Sequence, residues 1–336
     1  MKKYYFLVAF LLTTGSISFA QNKSAYHISD SFSIKSSGGY DYLTVDSASE
    51  KLYVSHGSQV NILNKNTGDS IGVIKTEKDV HGIALVHALG KGYISNGTLN
   101  EVLVFDLKTN QTLRYVPTGK FADGIFYDDF SKKIISCNGM SKNMTVIDPN
   151  ADTVVATIQL TGWPETAVSD GKGYIYVNNA EKAEIDVIDA RTFKIIHNWP
   201  NKPGEGASGL AIDRATMRLF ATCENKLMIV MNATNGKVID SFPTGAGADG
   251  AGFDNHLKTA YSSNGEGTLT VIKEVSADNF ALQGNVVTRP GARTITVDQR
   301  THNIYLPTAS FKPPTKGSFR PEVIPGTFII LKVQTN

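Results

Sequence analysis

The chain has 336 residues, 41% hydrophobic and only 19% charged, with 30 glycines, 12 prolines and two cysteines. This composition supports a packed, turn-rich core and excludes a disordered polyelectrolyte. Two cysteines exclude a disulfide-dense scaffold, a zinc finger and a cysteine-held cluster.

Met1–Ala20 (MKKYYFLVAFLLTTGSISFA) begins with Lys2 and Lys3, continues through the apolar run Phe6–Leu12, and closes on Ser18-Phe19-Ala20. A basic start, a short apolar run and a small-x-small end form the pattern of a secretory signal peptide cut near Ala20. The run is well short of the roughly 20 residues that span a bilayer. No cysteine follows the cut to carry a lipid, and no later segment is apolar over a spanning length. The expected location is the periplasm or the medium. Removing Lys2 and Lys3 from 33 basic residues leaves 31 against 31 acidic ones, a net of zero. General nucleic-acid binding then lacks its main driving force.

His27–Ser36 (HISDSFSIKS) is strand-like, and seven similar units follow it. Examples are LTVDSASEKLYVSHG (43–57), IALVHALGKGYISNG (83–97), LAIDRATMRLFATCE (210–224) and AGFDNHLKTAYSSNG (251–265). The residues ending the first strand of each unit are Asp46, His87, Asp128, Asp170, Asp213, Asp254 and Asp298, with His87 an approximate match. Each unit predicts four short strands: a small apolar one, a β-branched and aromatic one, a third ending at turn formers such as Asn64, Asp106 or Asp148, and a polar fourth. Units of roughly 40–45 residues have the length of a propeller blade. The expected blades are 40–80, 81–122, 123–164, 165–207, 208–248, 249–292 and 293–336. The last contains only three strands, with Phe328–Val333 its third. An open sheet edge is a liability, so the strand at 27–36 is expected to complete it. Residues 21–336 then form one domain, an all-β seven-bladed propeller closed by its N-terminal strand.

Units such as Leu52-Tyr53-Val54-Ser55 and Ile175-Tyr176-Val177-Asn178, with partner strands ending Val-Ile-Asp, resemble YVTN repeats over about residues 40–333. The strings His81-Gly82-Ile83-Ala84, Ser208-Gly209-Leu210-Ala211 and Pro290-Gly291-Ala292-Arg293-Thr294 are similar to secreted YncE-like proteins. The resemblance implies a propeller and export. It implies no single activity, because such propellers include binding proteins, lactonases and lyases.

Antiparallel order places the start of each first strand and the end of each second strand at one mouth of the central channel. The first set is Asp41, His81, Asp123, Glu165, Ser208, Asp249 and Arg293; the second includes His56 and Glu224. This acidic, polar mouth is the expected ligand site. His81, Asp123, Glu165 and Asp249 can hold a divalent cation: oxygen ligands favour Ca²⁺ or Mg²⁺, and histidine admits Zn²⁺ or Mn²⁺. The same carboxylates can instead cap turns or bridge blades. Arg293 can fork a ligand carboxylate or phosphate, or pair with Asp249 or Asp41. Trp163, at a blade crossover, can stack on a sugar or aromatic ligand but is expected to pack between blades, and Trp199, at the end of an outer strand, is expected to be structural. The insertion Ser310–Pro325 (SFKPPTKGSFRPEVIP) lies over the same mouth, with Phe311, Phe319 and Arg320 as candidate lid residues. Cys137 and Cys223 fall two blades apart, too far for a disulfide. Two functions follow. One is an exported binding or scaffold protein that takes a small molecule or protein partner at the mouth. The alternative is a metal-assisted hydrolase, lactonase or lyase using the same residues.

Overall fold

The second and third strands of every repeat are apolar on both faces. In the first repeat, Leu52 and Val54 of one strand and Val60 and Ile62 of the next are wholly buried. A sheet with two apolar faces needs a neighbour on each side. The computed structural model, which describes residues 25–76, 78–313 and 322–335, meets that need with seven four-stranded sheets. Every strand pair is antiparallel, as in Leu52↔Leu63 and Phe32↔Ile330. Met1–Ala20 lies outside the described residues. No helix among the described residues is long and apolar enough to cross a membrane.

Blade one consists of Tyr40–Val45, Lys51–His56, Gln59–Asn64 and Ser70–Lys75, from the channel outward. The inner strands of blades two to six are Val80–Val86, Ala122–Asp128, Pro164–Ser169, Ala207–Asp213 and Ala248–Asp254. Blade seven runs Thr296–Val297, Ile304–Thr308, Ile329–Thr335 and then Tyr26–Ser33. The N-terminal strand therefore is the outer strand of the last blade. It ends sooner than the expected 36, although Ile34 N–H still donates to Phe328 O at 2.9 Å.

Apolar clusters fill the seams between blades. Tyr53, Val60 and Ile62 of blade one meet Ile83, Ile94 and Phe105 of blade two. At the closing seam, Leu43, Leu52 and Val54 of blade one meet Phe32, Tyr305, Phe328 and Ile330 of blade seven. The same seam carries a buried ion pair, Lys65 Nζ to Asp298 Oδ2 at 2.8 Å. The Lys65 ammonium also donates to Asp46 O at 3.0 Å, and Tyr305 Oη donates to Lys65 O at 2.8 Å. Further hydrogen bonds meet what buried charges need if they are to be tolerated.

The recurring aspartates lie at the end of the ring opposite the candidate mouth. Each accepts from a backbone N–H two residues on: Ala48 for Asp46, Ala215 for Asp213 and His256 for Asp254, at 2.8–2.9 Å. They fold the first turn of each blade. Blade two replaces that turn with a short 3₁₀ turn, His87–Leu89, which accounts for the imperfect match there. Some of these aspartates also reach across seams, as in Lys258–Asp213 and His302–Asp254.

Phe32 is 4% exposed, and its ring lies against Gly68, where an added Cβ would fall 2.3 Å from Cδ1. Phe32→Ala is expected to cost about 3–5 kcal/mol in urea unfolding. Leu113→Ala, on an exposed outer strand, should stay within about 0.5 kcal/mol.

Candidate functional site

The mouth is built by an irregularity repeated in the inner strands. Their pairing slips between Tyr40 and Leu43, Val80 and Ile83, Ala122 and Ile125, Pro164 and Ala167, Ala207 and Leu210, and Ala248 and Gly250. Each slip spans a predicted entrance residue: Asp41, His81, Asp123, Glu165, Ser208 or Asp249. A bulge re-aims side chains and leaves a ladder N–H without its strand partner. Hydroxyls on the second strand accept those protons: Asp41 N–H to Ser55 Oγ at 3.2 Å, Gly82 N–H to Ser95 Oγ at 2.8 Å, and Gly209 N–H to Thr222 Oγ1 at 3.1 Å.

The glycine following His81, Asp123 and Asp249 also has a cause. A Cβ on Gly82 would sit 3.1 Å from Asp123 O, one on Gly124 3.0 Å from Glu165 O, and one on Gly250 3.0 Å from Ile295 N. Neighbouring inner strands thus come close enough to crowd their entrance side chains together. Thr294 Oγ1 donates to Asp41 O at 2.6 Å and joins the last blade to the first at this level.

The outcome is a continuous charged chain. Asp41 Oδ2 lies 2.6 Å from His81 Nδ1, and Asp123 Oδ1 lies 3.5 Å from the same nitrogen. Arg293 Nη2 donates to Asp41 Oδ1 at 3.1 Å, while Nη1 donates to Asp249. Arg293 thus makes the inter-blade pairs considered from sequence. Asp41, His81 and Asp123 are all buried.

Burial, and after it the crowding of charges, sets the acidities. Burial pushes Glu165 up to about 9, helped by Asp123, Asp249 and Asp41. Asp123 is raised by burial and by Asp41, against the pull of His81 and Arg293. Burial works against a charged His81, but its contacts with Asp41 and Asp79 and the field of Asp123 push it up to about 10. Burial likewise opposes the charge of Arg293, and Asp41 and Asp249 outweigh it. The mouth is rich in carboxyl groups, yet at neutral pH part of their charge is held by protons and by the two cations.

The other predicted residues lie elsewhere. Glu224 is exposed and reaches the cluster through its field on Glu165. His56 is wholly buried, takes part in a hydrogen bond with Ser36 Oγ through Nδ1 at 2.8 Å, and stacks on Phe328 at 4.1 Å. Ser208 Oγ donates to Ala248 O across a seam. Trp163 packs on Phe121 and over Gly139, and Trp199 on Tyr176 and His197. Cys137 and Cys223 are buried free thiols. Phe311 bridges to Val323 and approaches Tyr40, ring centres 6.4 Å apart. Phe319 and Arg320 lie outside the described residues.

Three residues of the site escaped the sequence reading. Tyr42 lies in the field of Asp123, Asp41, Asp249 and Glu165, and burial with those charges raises its phenol. Strand alternation sets neighbours Asp41 and Tyr42 on opposite faces, so a pattern that picks out one passes over the other. Asp79 Oδ2 stands 3.3 Å from His81 Nε2. Phe121 packs on His81 at 5.1 Å from a left-handed backbone conformation, φ 62°, which nothing in Lys120-Phe121-Ala122 announces.

No family model matches the sequence, and no curated protein matches it. Among solved structures the fold is similar to a chain of Kuenenia stuttgartiensis hydrazine synthase, with a TM-score of 0.71 at 14% identity over 81% of this chain and 94% of that one. A likeness at that identity concerns the fold alone, a seven-bladed propeller.

Burial lowers the His56 pKa to about 4, below its ordinary 6.5. The unfolded chain takes up this proton first, so the stability that neutral His56 contributes is complete above pH 6.5 and lost as pH falls through about 4. Between those limits the wild type should lose on the order of 3 kcal/mol more than His56→Asn, measured by urea unfolding at stepped pH.

Proposed function

We propose that this is an exported, YVTN-like binding protein that holds a small molecule at the channel mouth. The observation that carries this reading is a cavity of 510 Å³ beside Arg293. Its size suits a small organic ligand. Gly39, Gly247 and Gly265 keep part of its wall to bare backbone, and Tyr40, Phe311 and Val323 supply apolar surface. Tyr40 Oη donates to Gly291 O at 2.8 Å, which pins that ring.

The chemistry selects a ligand with an apolar body and one anionic group. The body lies against Tyr40 and Phe311, and the anionic group meets the partly exposed edge of Arg293. Phe311 and Val323, near the two ends of the Ser310–Pro325 insertion, form part of the cavity wall. The signal-like pattern at Met1–Ala20 supports export, and the YVTN-like strings support the same setting.

Gly39 offers a clean test. A Cβ there meets no heavy atom within 4 Å, so a large side chain enters the cavity without disturbing the sheet. A thermal-shift screen of small aryl and alkyl carboxylates should find a compound that raises the melting midpoint by several degrees. Gly39→Phe should abolish that shift and leave the ligand-free midpoint unchanged. A screen with no stabilising compound, or a compound that still binds Gly39→Phe, overturns the reading.

A further inference from the structure

We propose that Asp41, His81 and Asp123 form a binding site for one divalent cation of the Zn²⁺ type, next to the organic-ligand cavity and joined to it through Arg293. One ligand atom from each residue lies within 4.8 Å of the others, and all three residues are buried. They come from the inner strands of three successive blades, so the ring itself assembles the site.

A second observation distinguishes this cluster from carboxylates that merely bridge blades. Asp123 is 8% exposed, and its Oδ1 is fully buried with no hydrogen-bond partner. That oxygen faces His81 Nδ1 at 3.5 Å. A buried carboxylate oxygen that accepts no hydrogen bond is costly; its ion pair with His81 is long, and a bound cation would give it a direct ligand bond.

Spacing and charge agree with this assignment. Two ligands of one tetrahedral zinc stand about 3.3 Å apart, given bonds near 2.0–2.1 Å. Asp123 Oδ1 and His81 Nδ1 are already near that separation. Asp41 Oδ2, at 2.6 Å from the imidazole, must draw back by under an ångström. Asp79 lies on the far side of the ring, 3.3 Å from Nε2. To ligate, Nδ1 must give up the hydrogen bond it shares with Asp41 Oδ2, which leaves the ring proton on Nε2, on the Asp79 side. With Asp249 and Glu165 nearby, the mouth groups four carboxylates around Arg293 and one imidazole, a formal deficit that a divalent cation reduces. Two oxygens and one nitrogen suit zinc with a fourth position left to water or substrate.

The test uses the full exported chain, stripped with a chelator and titrated with ZnCl₂ by calorimetry, then with CoCl₂ by visible spectroscopy. One equivalent of Zn²⁺ should bind. Co²⁺ should give visible d–d bands that an equivalent of Zn²⁺ removes, a readout that needs no variant. Asp123→Asn should weaken uptake by at least about 100-fold, with its melting midpoint in chelator showing that the variant is folded. Gly39→Phe should bind Zn²⁺ as the wild type does, so the fate of the organic-ligand cavity is read separately. Absence of one-to-one uptake, or uptake that survives Asp123→Asn, overturns the site.

Discussion

Each sheet of this protein has two apolar faces, and everything else depends on covering both. A stack would leave its two end sheets bare; a ring of seven leaves none. The burden falls on the seam where the chain closes, because there the contact is between residues about 240–250 apart in sequence, as in Tyr305 with Lys65 and Thr294 with Asp41. Phe32, Phe328 and Ile330 supply the apolar cover. Tyr26–Ser33 completes the hydrogen-bonded ladder of the last blade. The buried Lys65–Asp298 pair adds little net stability by itself. Its hydrogen bonds tie blade one to blade seven in a single register.

Closure creates the mouth as a consequence. Inner strands approach closely because glycine follows His81, Asp123 and Asp249, and the bulges turn the preceding side chains toward one region. Groups of like charge are then held nearer than they would stand in water. The ring's own packing supports that arrangement, so the site need not be stable on its own. Protons, Arg293 and His81 absorb part of the charge. Such a site is poised to exchange one set of positive partners for another, and the adjoining cavity at Tyr40 and Phe311 gives it an apolar neighbour.

The two ends of the channel divide the work. At one end, aspartates such as Asp46, Asp213 and Asp254 spend their oxygens on turn N–H groups and seam partners. At the other end, Asp123 keeps an oxygen without a donor. Residue type is the same in both places, and only the surrounding donors separate a structural carboxylate from a chemical one.

The repeat determined the architecture from the sequence alone: seven copies, four strands each, small residues inward, and a strand at 27–36 left over for the last blade. The list of residues near the mouth was legible for the same reason, since antiparallel order fixes which strand ends share a side. Which of them touch was decided only by the tertiary structure. His56 and Asp41 were equal candidates in sequence, yet one stacks on Phe328 and the other joins His81 and Arg293. Tyr42, Asp79 and Phe121 carried no periodic signal at all. Periodicity reports how a strand alternates within its own sheet. The bulges, and the distances between one blade and the next, depend on how seven sheets crowd around an axis, and no single repeat encodes that.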